Sequence, residues 1–154
     1  MVATVKIIPF AVLEDSVRVA EELARERLML SVHAPTAMRV FLIQTELPTV
    51  KTSALDKTAR RLADRLAPTG SEIAHEWRVP HREAGVAEAL NAIDAEVDID
   101  DDRDLIVIFG ASAISDPADV IPAGLEAAGG TVGTVGMPVD PGNLLMTGRL
   151  GGRN

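Results

Sequence analysis

Residues 104–122 read D-L-I-V-I-F-G-A-S-A-I-S-D-P-A-D-V-I-P. Leu105, Ile106, Val107, Ile108 and Phe109 make an apolar run too short for a helix, rich in β-branched side chains and ended by Gly110. Such a run predicts a strand buried on both faces. A turn of small residues follows, and then a helix start. Asp119 is placed to cap the first amides there, and Pro122 is tolerated because first-turn residues lack helical N–H partners. Strand, turn and capped helix together set free backbone N–H groups beside a carboxylate at the C-terminal end of the strand. Ligands of α/β proteins bind at such edges. The stretch is expected to form the floor of a binding site.

The flanking sequence supports an α/β chain. Its 154 residues are one domain's worth, and 47% of them are apolar while only 3% are aromatic, so the core is built from Val, Ile, Leu and Ala. That composition suits a parallel sheet covered by Ala-rich helices. No cysteine is present, which excludes disulfides, thiolate metal sites and a cysteine nucleophile. A formal charge of −8 argues against nucleic acid and anionic membranes as partners. No apolar run reaches the ~20 residues that span a bilayer. The N-terminal M-V-A-T-V-K-I-I-P-F lacks the pattern of a signal peptide, so the cytoplasm is the expected location.

In chain order, strands are expected at 3–9, 28–32, 38–44, 72–79, 105–109 and 131–137. Helices are expected over 13–28, from Ser53 to a stop at Pro68 and Gly70, around Val86, Leu90 and Ile93, and from Asp119 to Ala128. The acidic stretch 96–104 lacks the central Gly and closing Glu of a calcium loop and reads as a solvated linker. The tail from Met137 is rich in Gly and Pro and reads as loop plus a short extended piece. The alternation of strands and helices points to a doubly wound, three-layer α/β sandwich with a mostly parallel central sheet. Residues 1–36 are expected to be a β-α-β extension packed on the core domain, 37–154.

Several residues invite chemical readings. Gly110, Ala111 and Ser112 follow a strand as in a serine-hydrolase elbow, but Ile114 stands where that motif needs Gly, and no His follows the Ser. A nucleophilic Ser112 is therefore not expected. His33, His75 and His81 do not cluster by spacing and read as ordinary packing or exposed residues. Asp56 and Asp119 each begin a helix that follows a strand. Capping explains both, yet in an open sheet they are also placed to face one crevice. Lys51, Lys57, Arg60, Arg61 and Arg65 crowd around Asp56. A phosphate footprint and a solvated helix face explain that cluster equally well.

The motifs F-L-I-Q-T-E-L at 41–47, D-K-T-A-R-R-L at 56–62, D-L-I-V-I-F-G-A-S at 104–112, D-V-I-P at 119–122 and V-D-P-G-N at 139–143 together resemble the molybdopterin-binding domain. That family includes molybdopterin adenylyltransferases, molybdenum insertases and gephyrin. The wording is most similar to a branch known only as molybdopterin-binding proteins. The resemblance covers about residues 38–152, and relatives continue beyond the position of Asn154.

It implies molybdopterin as ligand, lying over the C-terminal strand ends, and a role in making or handling the molybdenum cofactor. Any catalysis would be adenylyl transfer from ATP with Mg2+, or molybdate insertion. By motif position Asp56 and Asp119 are the implied catalytic and metal-binding acids. Thr45, Glu46, Lys57, Arg61, Gly110, Ala111, Ser112, Ala113, Pro141 and Gly142 are the implied ligand-binding residues. Ala111 and Ala113 stand where the family has glycine, and Ala118 where it often has arginine. These departures favour the alternative of a non-catalytic ligand sensor or substrate-presenting module. Relatives form dimers or trimers, so a homo-oligomer is expected.

Overall fold

The computed structural model describes residues 11–26, 33–96, 103–137 and 140–151. The chain divides into two compact units, Met1–Ala34 and Pro35–Asn154. In the first, α1 spans Glu14–Glu26, with Glu14 and Asp15 in its first turn and Arg25 in its last, as the helix dipole favours. Exposed ion pairs Arg18–Asp15 at 3.1 Å and Arg25–Glu21 at 3.3 Å follow the helical spacing. The strands expected at 3–9 and 28–32 lie outside the described residues.

The second unit runs β1 (Arg39–Glu46), α2 (Thr52–Leu66), β2 (Glu72–Pro80), α3 (Glu83–Glu96), β3 (Asp104–Phe109), α4 (Val120–Ala127), β4 (Thr131–Val135) and β5 (Met146–Arg149). β1, β2 and β3 form a parallel sheet in the order β2-β1-β3. Among the described residues, no helix is long and apolar enough to cross a membrane.

Strand order decides which helix covers which face. The chain steps from β1 to β2 in one direction along the sheet, then back past β1 to β3 in the other. Right-handed crossovers in opposite directions put their helices on opposite faces. The side chains agree. Phe41 and Ile43 of β1 join Val86, Ala89, Leu90 and Ile93 of α3 and Ile121 and Leu125 of α4 in one buried cluster. The alternate residue Gln44 points the other way, donating to the Leu55 carbonyl of α2 at 3.0 Å and to Glu76 at 2.8 Å. Helices α3 and α4 meet closely at Gly124, where a Cβ would stand 2.6 Å from Val86 Cβ.

Two expectations change here. The strand buried on both faces is β1, whose Val40, Phe41, Leu42 and Ile43 are all buried. β3 lies at an edge of the described sheet, with Leu105 42% and Phe109 38% exposed. An unbroken apolar run signals burial but does not rank two such strands. The expected last strand forms as β4, but it pairs antiparallel with β5 in a separate two-stranded sheet.

Candidate functional site

The C-terminal ends of the three parallel strands converge on one polar cluster. Thr45 is the penultimate residue of β1 and points to the α3/α4 face, as the alternation from Phe41 and Ile43 requires. It is buried, at 2% exposure. Its Oγ1 accepts the Ala111 amide at 2.8 Å and stands 2.8 Å from His81 Nδ1. His81 directly follows β2, and its own amide donates to the Glu46 carbonyl at 2.9 Å, prolonging the β1–β2 ladder. Its other ring nitrogen, Nε2, stands 2.8 Å from Ser112 Oγ. One imidazole thus links the end of β1 to the turn after β3.

That turn is shaped by close contacts. At Gly110 a Cβ would lie 2.9 Å from the Ser112 carbonyl oxygen and 3.4 Å from Ile121, so a larger residue would push the turn off α4. Asp119 holds the far end. Its Oδ2 accepts the amides of Ser115 at 2.7 Å and Asp116 at 2.9 Å. These bonds, Ser115 first, hold its carboxyl below the usual carboxylate range, with help from the Ser115 hydroxyl and from His81 nearby. Asp119 does precede α4, but its side chain makes no capping bond to that helix and reaches back over the turn instead. Between these fixed points, the amides of Ser112, Ala113 and Ile114 have no acceptor among the described residues.

The sheet separates some of the expected site residues. Asp56 of α2 pairs with Arg78 at 2.7 Å, and Arg78 also binds Glu76 at 2.6 Å. Both carboxylates push the guanidinium to still higher basicity, Glu76 first. All three lie on the Gln44 face. Asp119 lies with α4 on the Thr45 face. Asp56 and Asp119, expected to face one crevice, belong to helices on opposite faces of the sheet, and each is already engaged, Asp56 by Arg78 and Asp119 by the amides of Ser115 and Asp116. No group of three His, Asp or Glu side chains suited to a metal ion gathers among the described residues. The donor set therefore does not fit the Mg2+ expected between these two acids. Lys57 and Arg61 are exposed on α2 and take no part in the cluster at His81.

Thr45, Glu46, Gly110, Ala111, Ser112 and Ala113 do share the C-terminal edge. Pro141 and Gly142 sit in the turn between β4 and β5, where the Gly142 carbonyl accepts the amides of Met137 at 3.2 Å and Leu145 at 3.0 Å. The end of this turn meets β3 across an apolar cavity of about 430 Å³, whose walls include Phe109, Ile114, Leu125, Leu144 and Leu145.

No family model, no curated protein and no solved structure matches this chain. The site must be read from its own residues. The residue missed by sequence reasoning is His81. Its signal was its place, directly after a strand and so at the ligand-binding edge of a parallel sheet.

Proposed function

We propose that the chain binds molybdopterin or the molybdenum cofactor over the C-terminal edge of its parallel sheet and acts in making or handling that cofactor. The observation that carries the reading is the gathering of Thr45, Ser112 and the 110–113 turn at one edge. These are positions where the molybdopterin-binding family places its ligand. Three amides without acceptors and the Ser112 hydroxyl offer a phosphate several donors. Helices on both faces of the sheet suit the three-layer sandwich of that family. Asp119 serves by holding the turn in shape. Asp56 is held by Arg78, and no metal-dependent step is derived.

Calorimetric titration with molybdopterin tests this. Saturable binding that weakens in Asp119→Ala and Ser112→Ala is the expected result. No binding, or binding indifferent to both substitutions, overturns the proposal. Incubation with ATP and Mg2+ then separates an adenylyltransferase from a module that binds without turnover.

A further inference from the structure

Binding a phosphate or a pterin needs donors, but it does not need a hydroxyl, an imidazole and a second hydroxyl in series. Ser112 Oγ, His81 Nε2, His81 Nδ1 and Thr45 Oγ1 are joined by two contacts of 2.8 Å each. Such a series is recognised by geometry and role rather than by order in the chain. We propose that Ser112 is a nucleophile toward carboxylic esters, with His81 as its general base and Thr45 as the residue that positions the imidazole. This activity uses the same turn as the proposed pterin site but does not depend on pterin binding.

The step follows from the atoms present. With Nδ1–H directed to Thr45, Nε2 carries the lone pair that faces Ser112. Nε2 takes the Ser112 proton as Oγ bonds to the ester carbonyl carbon. The carbonyl oxygen becomes an oxyanion, for which the amides of Ser112, Ala113 and Ile114 are the available donors. Collapse breaks the bond to the leaving alkoxide, which takes the proton from Nε2 and departs as an alcohol. Water then attacks the acyl-serine through the same base, releasing the acid and restoring Ser112. Thr45 supplies orientation but no charge. Asp119 supplies a negative charge near His81 without touching it.

The nucleophile and its base set the substrate class, carboxylic esters, and a neighbouring apolar cavity, not itself lined by Ser112, His81 or Thr45, offers room for the acyl group. Phe109 and Ile114, which bracket the Ser112 turn in sequence, both line the apolar space of about 430 Å³. That volume lies within the range of small-molecule pockets and suits a short apolar acyl group.

Two measurements test this. The first is hydrolysis of p-nitrophenyl butanoate and acetate, with an alkyl fluorophosphonate as covalent probe read by peptide mass mapping. Wild type is expected to exceed buffer hydrolysis on the order of 10²- to 10⁴-fold. Butanoate should be favoured over acetate, and a single adduct should form on Ser112. Both activities should vanish in Ser112→Ala, an exposed position whose change is checked by circular dichroism. Buffer-level hydrolysis without an adduct, or hydrolysis retained in Ser112→Ala, overturns the proposal.

The second measurement needs no turnover. Ser112→Cys puts one thiol into a chain that has no cysteine. Its alkylation by iodoacetamide should be about ten-fold faster with His81 present than with His81→Gln. Equal rates overturn the role of His81.

Discussion

Thr45 Oγ1 accepts the Ala111 amide across 2.8 Å, joining the end of β1 to the turn after β3. The same oxygen faces His81 Nδ1, so this one buried hydroxyl orders two neighbours. Thr45→Val keeps the shape of the side chain and removes the acceptor. It is expected to destabilise the fold by about 1–3 kcal/mol, the cost of leaving polar partners unpaired in a buried place. Thr45→Ser should recover most of that loss. Urea denaturation at unchanged slope reads the difference, and equal stability of the Val and Ser variants would contradict the account.

Gly124 brings α4 onto α3. Any side chain there meets Val86, whose Cβ would be 2.6 Å from the new Cβ. Gly124→Ala gains helix propensity, but the overlap is expected to dominate and cost about 1–3 kcal/mol. The double variant Gly124→Ala, Val86→Gly, which removes the Cβ that the new methyl meets, should lose less than the two single losses added together. Chemical denaturation of the four proteins completes the cycle.

Asp119 makes the turn sensitive to acid. Two amides hold its carboxyl below the ordinary value of 3.8. A depressed folded value contributes stability in full above the unfolded value, and the contribution is lost as pH falls through the folded one. The stability difference between wild type and Asp119→Asn should therefore be level above pH 3.8 and narrow below it. Denaturation curves from pH 2 to 7 measure the difference. A gap that persists at the lowest pH would remove the charge from the explanation.

Arg78 holds Asp56 and Glu76 together across the α2 face, at 2.7 and 2.6 Å. Arg78→Ala leaves two carboxylates facing each other and is expected to cost about 1 kcal/mol, since the group is partly solvated. Arg78→Lys cannot span both acids in the same way and should fall between the two. The loss should shrink in molar salt, as screening requires. Ester hydrolysis should be unchanged in Arg78→Ala, because this network lies on the side of the sheet away from Ser112.

Much of the architecture could be read from local pattern. The runs at 38–44 and 105–109 announced strands, and Leu55, Val86 and Leu90 at helical spacing announced helices. The floor of the site at 110–115 was also legible, because small residues between a strand and a helix mark a ligand-binding edge. His81 precedes Ser112 in the chain, so a Ser–Asp–His order along the sequence does not reveal it. Asp56 lies near the start of a helix after a strand, as Asp119 does, so local pattern does not tell the two apart.

Element type and position belong to the sequence here, because periodicity and turn chemistry are properties of neighbouring residues. Facing is another matter. The crossover from β1 to β2 and the one from β2 back past β1 to β3 run in opposite directions, and handedness then places α2 on one side of the sheet and α3, with α4 packed against it, on the other. That arrangement sets Asp56 and Asp119 on helices that cover opposite faces. The parity of one strand turns Thr45 toward the α3/α4 face and Gln44 away from it. Residues 45, 81 and 112 meet because parallel strands end together in space, a relation between distant segments that exists only once the sheet has formed.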